Sequence, residues 1–165
     1  MEAGLQPLPQ GRFEGREAFG ERIRLALAAA ARDGWPELVL CDASFEDWPL
    51  GERAVADSLQ AWAGAGRRLT LLARSYDEVL RRHARFVTWR RTWDHLIQAR
   101  VCKSVAASDF PSVLWSPAWT LQRLDLKRST GVSGPEAERR VVLRETIDEC
   151  LRQSAPAFPA STLGL

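Results

Sequence analysis

The chain is nearly without lysine, histidine, tyrosine and methionine, holding two, two, one and one of them in 165 residues. It has three cysteines, and no stretch approaches the ~18 consecutive apolar residues of a membrane span. Each shortage excludes something. Two histidines and three scattered cysteines, with no CxxC, HxH or HExxH, offer no metal-ligand pattern, so neither a metal nor another cofactor is expected. Cys41, Cys102 and Cys150 are odd in number and far apart, unlike a disulfide framework; they read as reduced thiols buried as small apolar groups. There is no GxSxG elbow. The one close glycine pair, Gly64 and Gly66, follows a helix and precedes a strand, the wrong side for a phosphate-cradling loop. The first residues lack the basic start and apolar run of a secretory signal. A cytoplasmic protein with no membrane span is expected.

What is present suits a globular body. Apolar residues make up 45% and charged residues 27%, ordinary values, and the length suits one self-sufficient core. Residues 1–15, with two prolines and three glycines, read as a flexible N-terminal arm. From Arg16 to Arg32, Phe19, Ile23, Ala26, Leu27 and Ala30 recur at helical spacing, and Gly34 suits the helix end. The apolar runs Glu37–Asp42 and Arg68–Ala73 read as buried strands, with a helix over Gly51–Ala63 between them. Ser75 and Glu78 have capping-box spacing ahead of a helix running to Trp93, whose inward stripe is Val79, Phe86 and Trp93. Strands follow at His95–Cys102, Val113–Leu124 (or a hairpin bent at Pro117) and Leu126–Ser133, then a helix over Glu136–Gln153. The tail, 154–165, reads as extended and packed across the body. Alternating helices and strands predict an α/β domain over 16–153, a mostly parallel mixed sheet flanked by helices.

Charge is unevenly spread. Arg81–Lys103 carries seven basic residues against Asp94 alone, a local +6 in a chain of net +2, and also holds both histidines. Arg81, Arg82, His83, Arg85, Arg90 and Arg91 are therefore candidates for binding an anion or an acidic partner, since arginine is the better bidentate ligand for phosphate and carboxylate. The alternative is an ordinary solvated helix face. Trp115 and Trp119, around Pro117, are the candidates for surface aromatics, though two packed tryptophans flanking a bend fit equally well. A second candidate location is the end of the first buried strand, where Asp42 and Ser44 could line a pocket, as ligands in open α/β sheets sit beyond strand carboxyl ends; the alternative is that both merely shape the turn.

The element order of helix, strand, helix, then a strand of the type Arg67-Arg-Leu-Thr-Leu-Leu-Ala73, a hairpin, and the closing helix Glu136–Arg152 resembles half of a phospholipase D-like domain. The chain also resembles an uncharacterised proteobacterial family, a domain of unknown function, sharing Asp47-Trp-Pro-Leu-Gly-Glu52, Arg85-Phe, Trp115-Ser-Pro117 and the ending from Phe158-Pro to Leu165. Active phospholipase D-like members use His-x-Lys-x4-Asp, with histidine as nucleophile and lysine on the phosphate. Here His83 is followed at that spacing by Arg85 and His95 by Ile97, and the hairpin region offers Leu121, Gln122, Arg123 and Asp125 without a histidine. No catalytic residue transfers. The resemblance implies a degenerate scaffold, a pseudoenzyme, with pairing into a homodimer because active relatives join two such halves.

Three functions follow. The first is a non-catalytic binding or interaction domain that presents the basic helix to a phosphate-containing ligand or an acidic protein. The second is a phosphodiesterase using His83 with nearby arginines. The third is nucleic-acid binding by the same arginines.

Overall fold

The computed structural model describes residues 7–160. Eight strands form one sheet: β1 Gly11–Phe13, β2 Glu37–Cys41, β3 Arg68–Ala73, β4 Ile97–Val101, β5 Val113–Trp115, β6 Thr120–Asp125, β7 Thr130–Gly134 and β8 Ala155–Pro156. Their order is β1-β7-β6-β5-β2-β3-β4-β8. The helices are α1 Arg16–Asp33, α2 Arg53–Trp62, α3 Asp77–Arg82, α4 Ala84–Thr92 and α5 Ala137–Arg152. The α/β class and the mixed sheet are as expected, but the sheet is not mostly parallel. Only β2–β3 and β3–β4 run parallel, because only they are joined by helical crossovers; β4–β8, β2–β5, β5–β6, β6–β7 and β1–β7 are antiparallel.

The strand alternation builds two cores. Leu38, Leu40, Leu69, Leu71, Ala99 and Leu114 face α1, α2 and α4. Val39, Cys41, Leu72, Val113 and Trp115 face α5 and meet Leu143, Ile147 and Cys150. Period-two alternation sends neighbouring strand residues to opposite faces, so each core takes every second residue. α1 buries mainly alanines with Phe19, Ile23 and Leu27, and ends on Gly34 in the left-handed region at φ 69°. Trp62 seals the far end of α2, donating its Nε1–H to the Trp35 carbonyl at 2.7 Å.

Several elements depart from expectation. Within the N-terminal arm, Gly11–Phe13 pairs with β7 as an edge strand; residues 1–6 lie outside the described residues. The helix expected over Ser75–Trp93 is two helices, broken at His83, whose backbone sits at φ −120°, ψ 58°. Ser75 does not cap through Glu78. Its hydroxyl accepts from the Asp77 amide, and Glu78 pairs with Arg81 and Arg82. β4 starts at Ile97, after a short 3-10 turn over Asp94–Leu96. The Val113–Leu124 segment is the bent hairpin, its turn held by the Ser116 hydroxyl, which accepts from the Trp119 amide at 2.9 Å. Trp115 and Trp119 are buried rather than exposed, for each indole N–H has a backbone partner: Arg140 for Trp115 and Pro9 for Trp119. At the other end, β8 closes the β4 edge and Phe158 is buried against Tyr76. The final residues of the family-like ending, including Leu163 and Leu165, lie outside the described residues.

Candidate functional site

Two places gather the residues singled out by the sequence. The first lies beyond the carboxyl end of β2. A cavity of about 560 Å³ is lined by Asp42, Ser44, Asp47, Arg123, Leu124 and Lys127 among others, within the range of small-ligand pockets. β2 lies between parallel β3 and antiparallel β5, and ligands in open α/β sheets sit beyond the carboxyl ends of strands. Asp42 and Ser44 do sit there.

The floor of this cavity is Arg123, which nothing in the sequence marked as its centre. Its guanidinium donates to Asp42 Oδ1 at 3.0 Å, Asp47 Oδ2 at 3.2 Å, Ser112 Oγ at 3.2 Å and Ser129 Oγ at 3.3 Å. It also lies 4.4 Å from the centre of the Phe19 ring, a cation–π contact from below. The side chains of Arg123 and Asp42 are 4% and 5% exposed, so the pair is desolvated and must satisfy itself. Asp42 does so with its second oxygen, which accepts the amides of Ser44 and Phe45 at 3.2 and 2.8 Å. Asp47 shares its other oxygen with Arg16.

Two residues around this network are held in the left-handed region, Phe45 at φ 60° and Ser129 at φ 53°. Such backbone persists only where neighbours over-determine it. Phe45 is fixed by its amide on Asp42 and its carbonyl under His83; Ser129 is fixed by its hydroxyl on Arg123 and its carbonyl accepting from Gly15.

The second place is the elbow between α3 and α4, where the basic candidates divide. His83 is buried and donates its Nε2–H to the Phe45 carbonyl at 2.8 Å, so it braces the β2–α2 loop and does not face a ligand. Arg90 is also inside: it reaches the Phe158 carbonyl at 2.9 Å and Asp94 at 2.7 Å, and lies over the Phe158 ring, holding the tail. Arg81, Arg82 and Arg85 are exposed together at the elbow. Glu78 pairs with Arg81 and Arg82, Glu46 also pairs with Arg82, and Arg85 reaches the Gly51 carbonyl at 2.9 Å. Arg91 is exposed elsewhere on α4; six residues at roughly 100° each turn it well away from Arg85. The six basic candidates therefore do not converge on one pocket.

No protein-family model matches the chain, and a search of curated proteins finds no match. Among solved structures the chain is similar to TrmBL2, an archaeal chromatin protein whose structure shows a novel mode of DNA binding: TM-score 0.66, 13% identity, 94% of this chain and 57% of that one. The chain thus spans little more than half the length of that neighbour. It is also similar to NucT from Helicobacter pylori: TM-score 0.58, 9% identity, 90% of this chain and 99% of that one. At these identities the likeness is one of fold.

Proposed function

We propose that this chain is a non-catalytic binding domain of phospholipase D-like architecture that presents Arg81, Arg82 and Arg85 to an anionic ligand or an acidic partner. The observation that carries this reading is the closure of the cavity floor. Arg123 is spent on four protein acceptors, and the carboxylates beside it are spent on Arg123, Arg16 and backbone amides. Neither histidine lines the cavity. Of the basic candidates, three stand exposed together at the elbow, their guanidiniums set against Glu46 and Glu78. Pairing of two copies, implied by the phospholipase D-like resemblance, belongs to the same reading.

Nucleic acid is the second reading, and one observation favours it: the likeness to TrmBL2, a chromatin protein described by its DNA binding. The same titration tests both. Labelled duplex DNA and a polyglutamate chain are titrated by anisotropy across a salt series, with wild type and with Arg82→Gln/Arg85→Gln. Affinity is expected to fall with salt, and the variant to shallow the log–log salt slope for DNA by about one unit per arginine removed. Unchanged binding in the variant, or no binding of either probe at low salt, sinks the elbow as a binding surface. Hydrolysis of bis(p-nitrophenyl) phosphate by pure protein, lost in a folded His83→Ala variant, sinks the non-catalytic reading and restores the phosphodiesterase.

A further inference from the structure

The three cysteines, distant in the sequence, meet in the second core: Cys41 ends β2, Cys102 follows β4, and Cys150 lies in the last turns of α5. Cys102 and Cys150 lie on segments that are tied to each other: Cys102 Sγ lies 3.3 Å from Ser104 Oγ, Ser104 Oγ donates to Gln153 Oε1 at 2.7 Å, and the Gln153 amide donates to the Cys150 carbonyl at 3.1 Å. Cys41 is engaged elsewhere, its thiol donating to the Pro111 carbonyl at 3.4 Å. Cys102 is wholly enclosed, whereas Cys150 keeps 7% of its surface open, so a reagent in solution meets Cys150 first.

We propose that Cys102 and Cys150 form a redox pair that closes to a disulfide by exchange with a small oxidised disulfide such as glutathione disulfide, pinning the end of α5 to the end of β4. The Cys150 thiolate attacks one sulfur of the oxidant, forming a mixed disulfide and releasing one glutathione thiolate, which takes up a proton. The Cys102 thiolate then attacks the Cys150 sulfur, forms the internal bond and releases the second glutathione. The two protein thiols lose two electrons and two protons, and the oxidant gains them. Burial, Cys102 and Glu149 hold the Cys150 thiol above the ordinary range, so closure is slow near neutrality and quickens as pH rises.

The position gives the bond a consequence. Cys102 opens the segment that carries Ala107 and Ser108 into the cavity wall, and Cys150 lies four residues before Ser154, where the tail is gripped by Arg100. α5 buries only Leu143, Ile147 and Cys150 among its residues, so a covalent tie at its end adds materially to its hold. The inference stands apart from the binding reading, because it needs no ligand.

The native full chain is incubated with glutathione disulfide at mildly alkaline pH, quenched with an alkylating agent, and digested without reduction. Free thiols are expected to fall from three to one. A digest fragment should join Cys102 to Cys150, and the oxidised protein should melt above the reduced protein. Cys41→Ser should keep the crosslink, and Cys150→Ser should lose it. A persistent glutathione adduct on Cys150 of the wild type, a crosslink through Cys41, or a bond found only between two chains overturns the proposal. An oxidised form that melts no higher than the reduced one overturns the pinning.

Discussion

Arg123 ties distant parts of the chain together through four protein acceptors. It joins β6 to the β2–α2 loop through Asp42 and Asp47, and to the β6–β7 turn through Ser129. Removing it leaves Asp42 charged, buried and without its counter-ion. Arg123→Met is therefore expected to lower unfolding free energy by about 3–5 kcal/mol, the cost of breaking a buried pair from one side. Arg123→Lys should recover little, since a single ammonium cannot reach four acceptors held in a guanidinium's fork. Urea unfolding of the three proteins measures this, and a loss below about 1 kcal/mol for Arg123→Met contradicts the network's importance. Asp42 was recognisable beforehand because position at a strand end is a local property. Its partner was not, because it stands 81 residues away and looks like any other arginine in a chain rich in them. His83 misleads for a related reason: its neighbours in sequence are basic, but its neighbour in space is a carbonyl oxygen.

At the scale of elements, the strands and helices with strong periodicity were legible: α1, β2, β3 and α5 fall within a few residues of their expected bounds. What escaped the sequence is pairing. β1 is three residues long and has no apolar alternation to announce it; it exists because β7 offers a ladder and Arg22 clamps it, donating to the carbonyls of Gly11 and Arg12. The three-way junction of β1, β7 and β6 is tightest at Gly131. A Cβ there would stand 2.0 Å from the Gln122 carbonyl oxygen and 2.7 Å from the Phe13 ring, so the backbone itself must move. Gly131→Ala is expected to cost about 1–3 kcal/mol, the range for overpacking. Hydrogen exchange localises it: the Phe13 and Gly131 amides should lose protection while β3, on the other side of β2, keeps its own. Uniform loss across β3 would show that β1 is not a separable edge.

For the whole molecule, alkaline unfolding offers a sensitive readout, because the chain has a single tyrosine. Tyr76 is buried beneath the tail, stacked on Phe158 at 5.0 Å, and donates its phenol O–H to the Arg100 carbonyl at 2.7 Å. It thus touches β4 and the tail at once. Burial pushes its ionisation well above the ordinary tyrosine range. A phenol whose folded pKa is raised adds stability that is complete below its unfolded pKa of about 10 and is lost as pH climbs beyond it. Burial raises the Cys41 thiol in the same sense, so the decline begins earlier, once free thiols ionise near pH ~8.5. The phenolate absorbance should consequently stay flat while the fold is intact, then appear together with the loss of helical ellipticity in one cooperative step. Tyr76→Phe should flatten the fall in stability above pH ~10 while leaving the earlier, thiol-driven part in place. A smooth phenolate titration near the ordinary tyrosine value with ellipticity unchanged would mean that Tyr76 meets solvent. The tail would then not cover it, and the grip of Arg90 and Arg100 on residues 154–158 would not close that edge of the sheet.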